Sequence, residues 1–345
     1  MRQGQISFFA GQTRIQRRRG DCPMDVNAMI RPVPKHAVFD LDDWLVWGAS
    51  MVRTADGLCH LYASRWPQST GHNGWVTHSE IVHAVSWEPL GPYTLEGAAL
   101  PARRGQFWDG DVTHNPTILQ WKDRFYLYYT GNRGNGDYWV HRNHQRIGVA
   151  VAERPEGPWQ RFDEPLLDVS PDSWDSLIAT NPSCTSTPGG RFLLMYKAAG
   201  SKLPGPRHGP VRHGVAFADH PLGPFIKHSE PIFASADAVF PGEDPYVWCQ
   251  GDTFYAILKD MGQFYTQEER ALVLFESPDG ITWTRSSHPV VTTRRIAFEG
   301  CGEKMIHRLE RPQVYFENGK PTVLFCAALW EQDADASANI HIPLG

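Results

Sequence analysis

Glu243-Asp244-Pro245 and Glu310-Arg311-Pro312 each set a carboxylate just ahead of an apolar, aromatic-rich stretch. His114-Asn115-Pro116 and Thr180-Asn181-Pro182 put polar pairs in the same setting. Carboxylates gathered on a cleft with an aromatic floor are what cleavage of a glycosidic bond requires. One protonates the leaving oxygen, and the other activates water or attacks the anomeric carbon. A single Asp or Glu beside a strand start often serves as a cap or an ion-pair partner, so the cluster carries more weight than any one member.

The elements that would bring these residues together are legible in the spacing. Pro116, Pro182, Pro245 and Pro312 lie 66, 63 and 67 residues apart, and a degenerate copy, Trp47-Gly48-Ala49, precedes them by another 67. An aromatic strand follows each polar pair at a turn, as in Arg124–Tyr129, Arg191–Tyr196 and Thr253–Leu258. A second landmark, Gly91-Pro92-Tyr93, Gly157-Pro158-Trp159, Gly223-Pro224-Phe225 and the variant Asp279–Trp283, keeps the same rhythm. Units of this length fit four-stranded blades, and five of them over about residues 37–335 predict an all-β, five-bladed β-propeller.

In a propeller the innermost strand of every blade lines the central channel, and its starting residues meet at one face. The second strand runs antiparallel and returns to that face. The sequence therefore predicts a pocket that draws on Trp47 and Gly48, His114 and Asn115, Thr180 and Asn181, Glu243 and Asp244, and Glu310 and Arg311. From the second strands it adds Arg65, Trp66, Lys197 and Lys259. These positions differ from blade to blade while staying polar, which suggests divided labour rather than packing. Asp42, Asp43, Asp109, Asp111 and Asp175 enter from loops ahead of the first strands. His141–His144 reads as an exposed rim loop.

Composition narrows the alternatives. A net charge of −5 without long runs of like charge disfavours nucleic acid and anionic membranes as partners. No P-loop, dinucleotide fingerprint or nucleophile elbow is present. The six cysteines have no metal-ligand spacing and read as free thiols in a reducing compartment. No stretch is apolar enough to span a bilayer, so a cytoplasmic protein is expected. Residues 1–36 read as an N-terminal arm, disordered or used in oligomerisation, and residues 37–345 as one propeller domain. The strand-like Ile340-His341-Ile342 is a candidate to close the ring.

The run from His114 to Gly131, Arg146–Ala152 with Gly157-Pro158-Trp159, and Trp174-Asp175 leading into Thr180-Asn181-Pro182 and Lys197 resemble the five-bladed propeller glycoside hydrolases of families 43, 32, 62 and especially 117. The resemblance implies an aspartate base on the first blade, an acid, and an aspartate that orients the acid. This chain departs from that pattern. Its first blade reads Trp47-Gly48-Ala49-Ser50, and its single Asp-Pro in the repeat series is Asp244-Pro245 in blade four.

The resulting expectation is an exo-acting hydrolase that removes a terminal sugar from an oligosaccharide. Asp43 or Asp111 is the general base, Glu243 the general acid with Asp244 assisting, and Glu310 the reserve acid. An inverting mechanism would hold base and acid about 6.5–9.5 Å apart. Trp47, Arg65, Trp66, His114, Asn115, Asn181, Lys197, Lys259 and Arg311 are the expected substrate-binding residues. No cofactor is required and no metal ligand is assigned, while a structural calcium in the channel and a homodimer stay open. A glycoside phosphorylase, similar to family 130, would instead use one carboxylate and a phosphate site drawn from Arg65, Lys197, Lys259 and Arg311. A non-catalytic sugar-binding propeller is the third reading.

Overall fold

The computed structural model describes residues 24–233, 238–331 and 336–345. Its inner strands are Trp44–Arg53, Val112–Trp121, Ile178–Ser186, Gly242–Gln250 and Arg308–Glu317, one to each of five blades. Each pairs antiparallel with the aromatic strand that follows it: Cys59–Pro67, Arg124–Asn132, Phe192–Ala199, Thr253–Asp260 and Lys320–Leu329. Blades one, three, four and five have four strands, while blade two has three strands and two isolated bridges, Ile147 to Leu167 and Val151 to Gln160.

The ring closes in blade five, which is built from both ends of the described chain. Ser337–Pro343 pairs with the second strand of that blade, and Val38–Phe39 pairs with Ser337–Pro343 at its edge. The closing role expected of Ile340–Ile342 is thus seen. Of the expected N-terminal arm, residues 1–23 lie outside the described residues. Residues 24–36 dock on the propeller: the Asn27 side chain donates to the Val291 carbonyl at 3.0 Å, Ile30 bridges to Leu344, and Val33 is buried and bridges to Phe298.

Successive side chains of a strand point to opposite faces, and here each face meets a neighbouring blade. Phe192, Leu194 and Tyr196 pack on Tyr126 and Tyr128 of blade two, whereas Leu193 and Met195 pack on Val247, Phe254 and Leu258 of blade four. Burial on both faces explains why these strands read as continuous apolar runs with no polar alternation. Buried tyrosines spend their hydroxyls on turns of the next blade: Tyr62 donates to the Pro155 carbonyl at 2.6 Å and Tyr128 to the Pro221 carbonyl at 2.9 Å.

The repeated polar-proline segment is a β-bulge in every inner strand. Gly48-Ala49, Asn115-Pro116, Asn181-Pro182, Asp244-Pro245 and Arg311-Pro312 each set two residues against one on the partner strand. The first residue of each pair is left-handed, with φ of 58°, 51°, 54°, 53° and 52°. Proline suits the second position because a bulged residue leaves the ladder and its N–H would go unpaired. In blade one, where alanine replaces proline, the Ala49 N–H has a dedicated acceptor, Asn339 Oδ1 at 3.0 Å.

Glycine in blade one answers a second constraint. A Cβ on Gly48 would lie 3.3 Å from Arg311 Cγ and 3.3 Å from Asn115 Oδ1. The Arg311 side chain packs against the position where the resemblance implies a blade-one aspartate, so a side chain there would crowd it. Gly48→Ala should therefore destabilise the protein by about 1–3 kcal/mol, from the left-handed backbone and the crowding together, as read from urea unfolding midpoints.

Candidate active site

The bulge turns two consecutive side chains of each inner strand toward the channel mouth. The five left-handed residues meet on the axis, where Gly48 packs against Arg311 and Asn115 and the other four are linked by hydrogen bonds. Asn115 Nδ2 donates to Asn181 Oδ1 at 2.8 Å, Asn181 Nδ2 donates to Asp244 Oδ1 at 2.7 Å, and the Arg311 N–H donates to Asp244 Oδ2 at 3.2 Å. The residues just before them, Trp47, His114, Thr180, Glu243 and Glu310, line the cavity above, which has a volume of about 640 Å³. That is the size of a small-molecule site.

In blades one to four, second-strand residues opposite those positions tie the blade to the next. Ser64 Oγ accepts from the Asn115 N–H at 2.9 Å and Thr130 Oγ1 from the Asn181 N–H at 3.0 Å. In blades three and four the corresponding residues are lysines: Lys197 Nζ donates to Glu243 Oε1 at 2.6 Å, and Lys259 donates to Glu310. Lys259 is 2 % exposed and Glu310 6 %. A charge buried this far from water persists because its partner is in contact, and removing one partner strands the other. Lys259→Met should cost about 3–5 kcal/mol in urea unfolding.

Glu243, Asp244 and Glu310 offer oxygens that all lie within 4.8 Å of one another, yet their surroundings differ. Burial raises the Glu243 carboxyl, but the Lys197 and Lys259 charges outweigh it and hold the group down to about 2. Asp244 accepts hydrogen bonds on both oxygens, which favours its anion. Burial and the Glu243 charge prevail over those bonds and over Arg311, and the carboxyl is pushed up to about 6. Side by side stand a firmly ionised carboxylate and one that gains a proton just below neutral pH.

Aromatic groups and neutral imidazoles form the walls. His114 stacks on Trp75 at 5.0 Å between ring centres, meets Trp66 edge-on at 5.7 Å, and shares a 2.8 Å hydrogen bond with Ser79 Oγ through Nδ1. Burial, reinforced by the Arg311 charge, pushes its imidazole well below the usual range. His72, edge-on to Trp47 at 5.1 Å, is pushed down to about 4 by burial and by Arg308. Both rings are hydrogen-bonding groups at neutral pH, not cations.

Several residues expected from the sequence do converge on the cavity: Trp47, Trp66, His114, Asn115, Asn181, Lys197, Glu243, Asp244 and Glu310 line it. Lys259 and Arg311 stand behind its carboxylates. Three others are placed elsewhere. Asp43 is exposed in the turn before the first inner strand, and Asp111 is spent on the Gly134 N–H at 2.9 Å. Arg65 pairs with Glu80 at 2.8 Å and covers Trp44. Asp109, Asp175 and Asp260 are structural: the first holds Arg103 and Tyr129, the second Lys227, and the third caps a loop through four backbone N–H groups, those of Gly262, Phe264, Tyr265 and Thr266.

Known proteins were compared with this architecture. No protein-family model matches the chain, and no curated protein matches it by sequence. Solved structures do match in fold. A family 117 glycoside hydrolase from the marine bacterium Zobellia galactanivorans is 18% identical, covers 91% of this chain and 89% of its own, and superposes with a TM-score of 0.62. An endo-arabinase from Bacteroides thetaiotaomicron is 11% identical over 91% and 97% of the two chains, with a TM-score of 0.56. A family 43 enzyme from Xanthomonas citri, solved with xylose, is 14% identical over 93% and 91%, with a TM-score of 0.58. The five-bladed propeller of the glycoside hydrolases is the fold of this chain.

Sequence reasoning missed the outer wall of the cavity. His72, Asn73 and Trp75 come from the connection after the second strand of blade one, and Tyr138, Trp139, Arg142 and Gln145 from its counterpart in blade two. Arg207 comes from the counterpart in blade three, and Arg308 from the start of the last inner strand. The segment read as an exposed loop, His141–His144, overlaps a short helix, Tyr138–Asn143, capped by Asp137. His141 turns inward to hydrogen-bond Asn132 Oδ1 at 2.8 Å, and Arg142 faces the cavity. Tyr138 and Trp139 fall four and three residues before Arg142, the spacing of one helix face, and that pattern is the signal the sequence carries.

Proposed function

We propose that the protein is an exo-acting glycoside hydrolase, with Asp244 as the acid that protonates the leaving oxygen and Glu243 as the ionised carboxylate. The observation that carries this reading is the electrostatic contrast between these adjacent carboxylates on the floor of a tryptophan-walled cavity. Neighbouring acids whose environments drive their proton affinities apart divide the acid and anion roles between them. Trp47 and Trp75 offer apolar faces to sugar rings, with Trp66 buried edge-on to Trp47, and His72, Asn73, His114 and Gln145 offer hydrogen bonds to hydroxyls. The connections rising from blades one, two and three wall the cavity, which favours a chain end over the middle of a polysaccharide.

The roles differ from those expected from sequence, where Glu243 was the acid. The stereochemical expectation changes too. Inversion needs a base across the sugar, and neither Asp43 nor Asp111 lines the cavity. Oxygens within 4.8 Å of one another fall on the side of the roughly 5–5.5 Å carboxyl spacing of retaining enzymes, short of the roughly 6.5–9.5 Å that inversion needs, and support retention, in which Glu243 attacks the anomeric carbon and water later releases the sugar. The cations expected to serve a phosphorylase are engaged: Arg65 with Glu80, Lys197 with Glu243, Lys259 with Glu310, and Arg311 beside Asp244.

A panel of aryl glycosides and oligosaccharides, assayed with and without phosphate, tests the reading. Asp244→Asn and Glu243→Gln should each lower kcat by about 10²–10⁴-fold. The Asp244→Asn loss should shrink on a dinitrophenyl glycoside, whose leaving group needs no proton. In the parent protein kcat/KM should fall about tenfold per pH unit above about 6, because the acid acts only while protonated. Proton NMR of the first-formed product should show retained configuration. Sugar binding with no turnover of any glycoside would sink the hydrolase and leave a sugar-binding propeller.

A further inference from the structure

Four cations, Arg142, Lys197, Arg207 and Arg308, face the cavity alongside its three carboxylates. Lys259 and Arg311 add two more positive charges directly behind those carboxylates. The cavity is therefore positive, although the whole chain carries −5. A local field opposite in sign to the net charge marks a place where an anion is drawn in.

The positive charge is unevenly used. Lys197 and Lys259 are consumed by Glu243 and Glu310. Among the described residues, Arg142, Arg207 and Arg308 have no carboxylate within ion-pair distance. The protein contacts they do make are to neutral groups. Arg142 donates to Asn143 Oδ1 at 2.9 Å and to the Arg207 carbonyl at 2.9 Å, and Arg308 approaches His72 Nε2 at 3.4 Å. Arg308 Nε is buried with no hydrogen-bond partner at all, a state that native proteins rarely leave unexplained. All three line the cavity together with Tyr138, and Arg142 is hydrogen-bonded directly to the Arg207 backbone. The His72 and His114 imidazoles are neutral and add nothing to this charge.

We infer that Arg142, Arg207 and Arg308 form an anion subsite at the mouth of the cavity, so that the ligand carries a carboxylate or phosphate group next to the sugar ring seated over Glu243 and Asp244. This rests on reading the cavity as a glycoside site. Guanidinium groups present planar forks that match carboxylate and phosphate oxygens, and three of them without acidic partners have that geometry to offer. The same chemistry is supplied by a uronic acid or a phosphorylated sugar in the substrate, or by free phosphate taken as the attacking group.

Calorimetric titration at low salt distinguishes these sources without requiring turnover, so the subsite and the hydrolase reading can fail separately. The probes are a free uronic acid, the neutral hexose of the same configuration, and inorganic phosphate. The uronic acid or phosphate should bind at least about tenfold more tightly than the hexose, with the preference weakening as salt is raised. Arg308→Gln should remove that preference. Arg207→Ala, at an exposed position where folding is not at stake, should reduce it. Tighter binding of the uronic acid assigns the anion to a sugar carboxylate, whereas tighter binding of phosphate assigns it to a phosphate group, and phosphate-dependent release of sugar in the assay above then separates free phosphate from a phosphorylated substrate. Either outcome upholds the subsite. Equal affinity for hexose and uronic acid with no binding of phosphate, or no binding of either anion, overturns it.

Discussion

A left-handed residue at the head of each inner strand is the constraint on which this molecule turns. Positive φ strains an L-residue, and four such residues beside one glycine around a single axis are tolerable only where the surrounding sheet leaves no choice. The return is geometric. A regular strand would send consecutive side chains to opposite faces, toward the two neighbouring blades. In blades two to five the bulge sends one side chain to the axis and the one before it into the cavity, so a purely structural repeat supplies two polar positions in each of those blades. Proline after the bulge removes an N–H that would have no partner, and Asn339 does the same service for Ala49 by accepting it.

Charge is then distributed around that ring by contact. The axial chain from Asn115 through Asn181 to Asp244 ends on Arg311, whose side chain lies over Gly48. Blade one gives up a side chain so that blade five can extend one, and the axis ends with a single carboxylate, Asp244, 3 % exposed. Lys197 and Lys259, at equivalent places on adjacent blades, each take the glutamate of the blade that follows. Glu243 is thereby held ionised while Asp244, deprived of water and placed beside another negative charge, is driven toward its protonated form. Two carboxyls adjacent in sequence become chemically different because their neighbours come from different blades.

The propeller, its five units, the closing strand Ile340–Ile342 and the meeting of Glu243, Asp244, Glu310, His114, Asn115 and Asn181 were all legible in the sequence. A repeat of fixed period forces equivalent residues to equivalent places, so spacing alone identifies the residues that share a ring. What varies between repeats was not legible by that logic. Asp43 and Asp111 precede inner strands in sequence, yet one ends in an exposed turn and the other on a backbone N–H. Arg65 sits one residue beyond the position of Ser64 and faces Glu80 in place of the cavity. In a strand a shift of one residue reverses the side chain, and sequence spacing does not resolve a single step.

The residues by themselves determined the architecture and the inventory of polar groups on the axis, because periodicity and strand alternation act over short range. Only the tertiary structure decided which cation neutralises which carboxylate, which carboxyl keeps a proton, and which arginines are left facing the cavity without an acidic partner. Those outcomes depend on contacts between neighbouring blades, across 46 and 51 residues of sequence for the two lysine–glutamate pairs, and on burial that only the closed ring creates.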